Sequence, residues 1–182
     1  ALSMRPVTYL VHNAAVVTPM KTLDHVTEDE WRECFAINVE GPLFLTQALL
    51  GCMQAGSRVL HVSSGIAHFT YPGMVPYSSS KAALHMLYQG WSQELAQRGI
   101  AVGSVQPGIV DTDMQSLLRE CDDVHFPARQ VFSDFKKNNQ FLCVDDVARS
   151  MAWMLLKMPA SEFVEKDWHV EEVQKNSAGH LG

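Results

Sequence analysis

The chain has 182 residues, of which 47% are hydrophobic and 19% charged, and a formal net charge of −6 at pH 7. That length reads as one domain able to bury a core without staples, and the composition excludes intrinsic disorder. With 20 Asp and Glu against 14 Lys and Arg, a nucleic-acid binder working by bulk charge is excluded as well.

In chain order, short apolar runs alternate with helical patterns, the signature of βα units and a parallel sheet. Val7 to Val11 reads as a buried strand that ends at His12-Asn13. Thr27-Glu28-Asp29-Glu30 is a capping box opening a helix that carries Trp31 and Phe35. A Leu-rich helix follows Asn38, from about Pro42 to Met53, with proline in its first turn. Arg58 to Ser63 is the next strand, and Gly65 to Pro76 a loop rich in Gly, Pro and aromatics. A long helix spans about Tyr77 to Arg98, closed by Gly99 as a left-handed cap. Ile100 to Val105 is a strand broken by Gln106-Pro107-Gly108. Asp113 to about Asp134 is a helical excursion with a turn near Pro127. Val144 to Met158 is an apolar helix opened by Asp145-Asp146, acids suited to its positive end. Trp168 to Glu171 is a last short strand. Asn176 to Gly182 is a small, polar, flexible tail, leaving 1–175 as the domain.

Cys34, Cys52, Cys121 and Cys143 form no CxxC pair and read as reduced thiols of a cytoplasmic protein. The eight histidines show no HExxH or HxxxH spacing, so no metal is expected. No apolar run reaches the roughly 18 residues that span a bilayer, and Ala1 to Pro6 has no signal-peptide pattern, so no membrane partner is expected.

Chemistry concentrates in Tyr77-Ser78-Ser79-Ser80-Lys81. Positions four apart share a helix face, so phenol and ammonium point the same way. A cation nearby favours the phenolate and draws an ordinary pKa near 10 toward the working range. Alone this spacing is common by chance. Ser64 ends a strand, where open α/β sheets bind ligands, and can hydrogen-bond a carbonyl that Tyr77 protonates. Turn chemistry is the plainer reading of Ser63-Ser64.

Four ordered segments resemble the short-chain dehydrogenase/reductase superfamily. His12-Asn13-Ala14-Ala15 stands where the family has Asn-Asn-Ala-Gly, and Asn38 where it has an active-site asparagine. Ser64, Tyr77 and Lys81 match its serine and Tyr-x-x-x-Lys pair. Pro107-Gly108-Ile109-Val110-Asp111-Thr112 matches the stretch around the nicotinamide. The resemblance implies a Rossmann-like α/β fold, a doubly wound parallel sheet in three α/β/α layers. It implies an NADPH-dependent carbonyl reductase, NADP being favoured over NAD, with Asn38, Ser64, Tyr77 and Lys81 catalytic. Asn13, Ala14, Ala15, Val62, Tyr77, Lys81, Pro107, Gly108, Ile109, Val110, Thr112 and Met114 would hold the cofactor. Ser64, Tyr77 and Gly108 would meet a small-molecule ketone or dicarbonyl. Asn38 could instead be a kink residue bonding its own backbone, and Met114 a gap-filler.

Within the superfamily the chain is similar to sepiapterin reductases and related dicarbonyl reductases. His169-Val170-Glu171 sits where they carry His-Val-Asp, so Glu171 would hold a pterin edge as a bidentate acceptor. A solvent-exposed acid is the alternative. The loop from Gln115 to Gln140, with Phe126, Phe132 and Phe135, would cover the substrate, or else be a surface helix pair. Helices 42–53 and 77–98 would pair copies as a homodimer or homotetramer. Leu84, Leu87, Tyr88 and Trp91 form one stripe, some of which packing on the sheet would explain.

No Gly-rich phosphate loop precedes the first strand, and roughly 70–90 residues of βαβ units are expected upstream in family members. The chain therefore reads as part of a longer enzyme, a short isoform, or a non-catalytic interaction module that uses an exposed apolar edge at Val7–Val11.

Overall fold

A computed structural model describes residues 5–122 and 124–179. Ala1 to Met4, at the N-terminus, and His180 to Gly182, in the expected tail, lie outside the described residues. Four parallel strands form one sheet in the order β1 (Tyr9–His12), β2 (Arg58–Val62), β3 (Ala101–Gln106), β4 (Asp167–His169). The register sets Val59 beside Val102 and Ser104 beside Asp167.

Strand alternation sorts the core onto two faces. Val59 and Val102 point to one face, where they pack with Tyr88, Trp91 and Leu95 of α3 (Val75–Ala96) and with Met53 and Ile100. Leu60 and Val105 point to the other. There they meet Val147 and Met154 of α6 (Val144–Leu156), Phe163 of α7 (Ala160–Phe163), and Val170 and Val173 of α8 (Val170–Gly179). The result is the α/β/α layering expected. Leu84, Tyr88 and Trp91 are buried in the protein's own core and Leu87 is half-buried against it, so core packing accounts for most of that stripe. At the β1 edge Tyr9 and Val11 are 45% and 42% exposed.

The Thr27 capping box is formed in both directions and opens α1 (Glu28–Phe35). Lys21 pairs with Glu30 at 2.5 Å. A π-helical turn at Ala36–Glu40 joins α1 to α2 (Gly41–Leu49), which runs on through a 3-10 turn at Leu50–Cys52. The two expected helices are thus one helical run from Glu28 to Cys52. By length and composition it is long and apolar enough to cross a membrane, a length that no single apolar run suggested. Here it packs on α3, burying Cys34, Asn38 and Thr46.

Several boundaries move. Helix α3 starts at Val75, two residues before Tyr77, because Pro76 fits the first turn. Gly99 is left-handed at φ +67°, as its capping role requires. The excursion after β3 is two helices, α4 (Asp113–Glu120) and α5 (Arg129–Lys137), the break falling before Arg129. The last strand is Asp167–His169, and Val170 already opens α8. That helix extends through Gly179, into the segment expected to be a tail, because Val170 and Val173 dock against α6.

Candidate active site

Tyr77 stands in the first turns of α3, with Lys81 one turn on. Both are buried, at 8% and 4% exposure. The Lys81 ammonium lies 5.8 Å from the Tyr77 ring centroid and donates to the Val62 carbonyl at 3.0 Å. Val62, the last residue of β2, thereby fixes the lysine head. Ser64 follows that strand end. Its Oγ accepts from Ile66 N–H at 3.4 Å, an N-cap of the short 3-10 turn Gly65–Ala67, so turn chemistry is present too.

Burial pushes the Tyr77 phenol up to about 12, while a hydrogen bond with Ser64 pulls the other way. Burial also lowers Lys81 to about 8. The expectation that Lys81 draws the phenol toward neutral pH is not met in this arrangement. Desolvation is the largest cause at both groups and penalises both charged forms. Tyr77 is held as a protonated phenol beside the Ser64 hydroxyl, the state a proton donor needs.

Asn38 sits inside the π-helical turn and is 1% exposed. Its Oδ1 accepts from Val16 N–H at 2.8 Å, and its Nδ2 donates to Val16 O at 2.8 Å and to Ser80 Oγ at 2.9 Å. Ser80 Oγ in turn donates to the Tyr77 carbonyl at 2.7 Å. Asn38 is a kink residue, but the backbone it bonds belongs to the segment after β1 rather than to its own helix. It is one hydroxyl away from the backbone of Tyr77. Val16 and Ser80 were not singled out in the sequence. Ser80 lies inside the Tyr-x-x-x-Lys motif, but Val16 carries no sequence signal.

Asn13, Ala14 and Ala15 leave the end of β1, the first two exposed and the third half-buried. Pro107 to Thr112 leaves the end of β3. Gly108 is at φ +75°, and a Cβ there would come within 2.8 Å of Leu142 Cδ1. The left-handed backbone favours glycine, whereas the Leu142 side-chain tip could turn aside from a Cβ. The stretch is pinned by Leu142 N–H donating to Ile109 O at 2.8 Å and by a bridge between Val110 and Leu142. Thr112 is exposed at the start of α4 and makes no side-chain cap.

Val17, Met20, Ile66, Met74, Tyr77, Leu118, Phe126 and Phe132 make one apolar cluster, with Met114 and Phe135 packed against it. The segment from Gln115 to Gln140 therefore closes over the Tyr77 side of the molecule through Phe126 and Phe132. Met114 does pack as a gap-filler, against the cluster that surrounds Tyr77. Glu171 is exposed in the first turn of α8 rather than at a strand end.

A strand end of a parallel sheet carrying a buried Tyr-x-x-x-Lys pair, a serine and a Pro-Gly turn defines a class of nucleotide-binding α/β proteins. A family model for short chain dehydrogenase matches residues 2–123, and the chain belongs to that family. It is 32% identical over 159 residues to "Carbonyl reductase [NADPH] 2" of Sus scrofa, covering 86% of this chain and 63% of that protein. A short chain dehydrogenase/reductase structure from Saccharomyces cerevisiae superposes with a TM-score of 0.83 at 27% identity, covering 91% of this chain and 66% of the other. A short chain dehydrogenase from Burkholderia cenocepacia J2315 in complex with NADP gives 0.71 at 28% identity, covering 90% and 63%. Across eight curated relatives the chain spans between 40% and 67% of their length.

Proposed function

We propose that the chain carries the reaction end of an NADPH-dependent carbonyl reductase acting on a ketone or dicarbonyl. The observation that carries this reading is the buried, protonated Tyr77 beside Ser64, with Lys81 one turn on. The residues fit a nicotinamide nucleotide at this end. Lys81 has three donors, and the one hydrogen bond described for it goes to Val62 O, so a ribose diol suits the rest. The Gly108 turn lets backbone come close to a flat ring. When bound, such a cofactor supplies the hydride. Ser64 orients the substrate carbonyl by hydrogen bonding to its oxygen. Tyr77 gives that oxygen its phenolic proton. Phe126 and Phe132 keep water off the Tyr77 side, which strengthens both contacts.

NADPH rather than NADH is favoured because the Sus scrofa relative and the Burkholderia structure carry that nucleotide in their names. A pterin side-chain ketone is one substrate of suitable chemistry, with Glu171 as the acceptor for its amino-pyrimidinone edge. Free thiols at Cys34, Cys52, Cys121 and Cys143 suit a cytoplasmic protein. Phe44, Leu45 and Met86, exposed on helices 42–53 and 77–98, favour self-association through those helices.

The test is NADPH oxidation with a dicarbonyl substrate, using the chain together with whatever coding sequence precedes it in its gene. Wild type consumes NADPH, and Tyr77→Phe lowers kcat by about a hundredfold or more, the range of a lost acid catalyst. Full activity in Tyr77→Phe overturns the reading.

A further inference from the structure

We infer that His68, His85 and Asp167 form a site for one divalent transition-metal ion of the zinc type, tying the loop after Ser64 to α3 and to the edge strand β4. Three distant stretches of sequence meet here because of strand register. Asp167 pairs with Ser104, so its side chain faces α3, one turn beyond Lys81, where His85 stands.

The donor atoms of the three residues lie within 4.8 Å of one another. His68 Nε2 is 3.5 Å and His85 Nδ1 is 3.6 Å from the same oxygen, Asp167 Oδ2. Both gaps are too long for a good N–H···O hydrogen bond. They are close to the roughly 3.3 Å that separates ligand atoms around a tetrahedral ion with bonds of about 2.0 Å. His85 Nδ1 is buried and has no hydrogen-bond partner. A proton leaves that gap open, whereas an ion bridges it.

The surroundings orient the ligands, as outer partners of metal sites do. Asp167 Oδ1 accepts from Ser104 Oγ at 2.7 Å, and Oδ2 accepts from Gln106 Nε2 at 2.9 Å and from Ser63 Oγ at 3.2 Å. The amide of Gln89 reaches His85 Nε2 at 2.9 Å. Turned oxygen-first, that amide accepts Nε2–H and leaves the Nδ1 lone pair for the ion. His68 is half-exposed, so solvent reaches the fourth position. Two imidazoles and one carboxylate select zinc-like ions over magnesium or calcium, which prefer oxygen ligands.

The site is tested by titrating Zn²⁺ alone into chelator-treated protein by calorimetry, with thermal melting alongside. Wild type takes up one ion per chain, and its melting temperature rises with Zn²⁺, since binding to the folded state stabilises it. His68→Ala, a half-exposed position that the fold tolerates, weakens binding by at least about tenfold and abolishes the melting shift. Asp167→Asn does the same from inside the cluster. Equal affinity and stoichiometry in wild type and His68→Ala overturn the proposal, because the ion then sits elsewhere. Absence of Zn²⁺ uptake by wild type overturns it as well.

Discussion

Acid should weaken this fold well before its carboxylates titrate, and the cause is a pair of buried imidazoles. His12 and His61 lie with ring centroids 5.0 Å apart and planes tilted by 56°, beside Trp91, at 6% and 1% exposure. Burial lowers His12 from 6.5 to about 4. Burial, then the charges of His12 and Lys81, lower His61 to about 3. Both rings are therefore neutral in the fold, whereas the unfolded chain protonates its imidazoles near 6.5. The stability they contribute is complete above 6.5 and is lost as pH falls from there through about 4 and about 3. At about pH 5 each ring has lost about 1.5 units at 1.4 kcal/mol per unit, roughly 2 kcal/mol, so the pair has lost roughly 4. His61→Leu isolates half of this. It is the better ring to remove, because His12 Nε2 is bonded to Thr46 Oγ1 at 2.7 Å whereas neither His61 nitrogen has a partner. Urea unfolding followed by circular dichroism at about pH 7.5 and about pH 5 should show wild type losing about 4 kcal/mol and His61→Leu about 2, with the variant at least as stable at the higher pH. Equal losses in the two proteins would refute the assignment to His61.

Asn38→Ala strands the Val16 N–H and C=O and loosens Ser80, for a cost of about 2–4 kcal/mol, and hydrogen exchange at the Val16 amide should accelerate. Gly103→Ala puts a Cβ 2.7 Å from two ring atoms of Phe163 and 2.8 Å from its carbonyl oxygen. The ring can turn but the backbone cannot, so the substitution should cost about 2–3 kcal/mol by urea unfolding. A loss below about 0.5 kcal/mol would mean that α7 shifts freely over β3.

What could be read from the sequence, and what could not, divides by the range of the interaction responsible. Strands β2 and β3 and helix α3 were legible because their signals are local: an apolar run, a closing Gly99, a Tyr-x-x-x-Lys spacing. The π-helical turn at Ala36–Glu40 was not, since the bonds that occupy Asn38 there come from Val16, on a different segment. Helix α8 was read partly as a tail because Asn176 to Gly179 is a poor helix sequence. Its support is tertiary, through Val170 and Val173 on α6. The polar alternation of Ser104 and Gln106 was the one available hint that Asp167 would be gripped on the α3 face, but it names no partner until the register pairs Ser104 with Asp167.

The same division explains why the Tyr77 site can be rigid. Its phenol and ammonium ride on one helix, and side-chain bonds from that helix to two other segments fix it. Val62 at the end of β2 holds the Lys81 head. Asn38, itself fixed by Val16, holds Ser80, which is bonded to the carbonyl of Tyr77. A shift of α3 along the sheet would break the Lys81–Val62 and Asn38–Ser80 bonds together, each costing about 1–3 kcal/mol when a polar group is left unpaired. The helix is thus held in register by polar contacts at its N-terminal half and by Tyr88, Trp91 and Leu95 at its C-terminal half. Positioning within a fraction of an ångström, which the proposed proton transfer demands, would follow from that double anchorage rather than from the Tyr-x-x-x-Lys spacing alone.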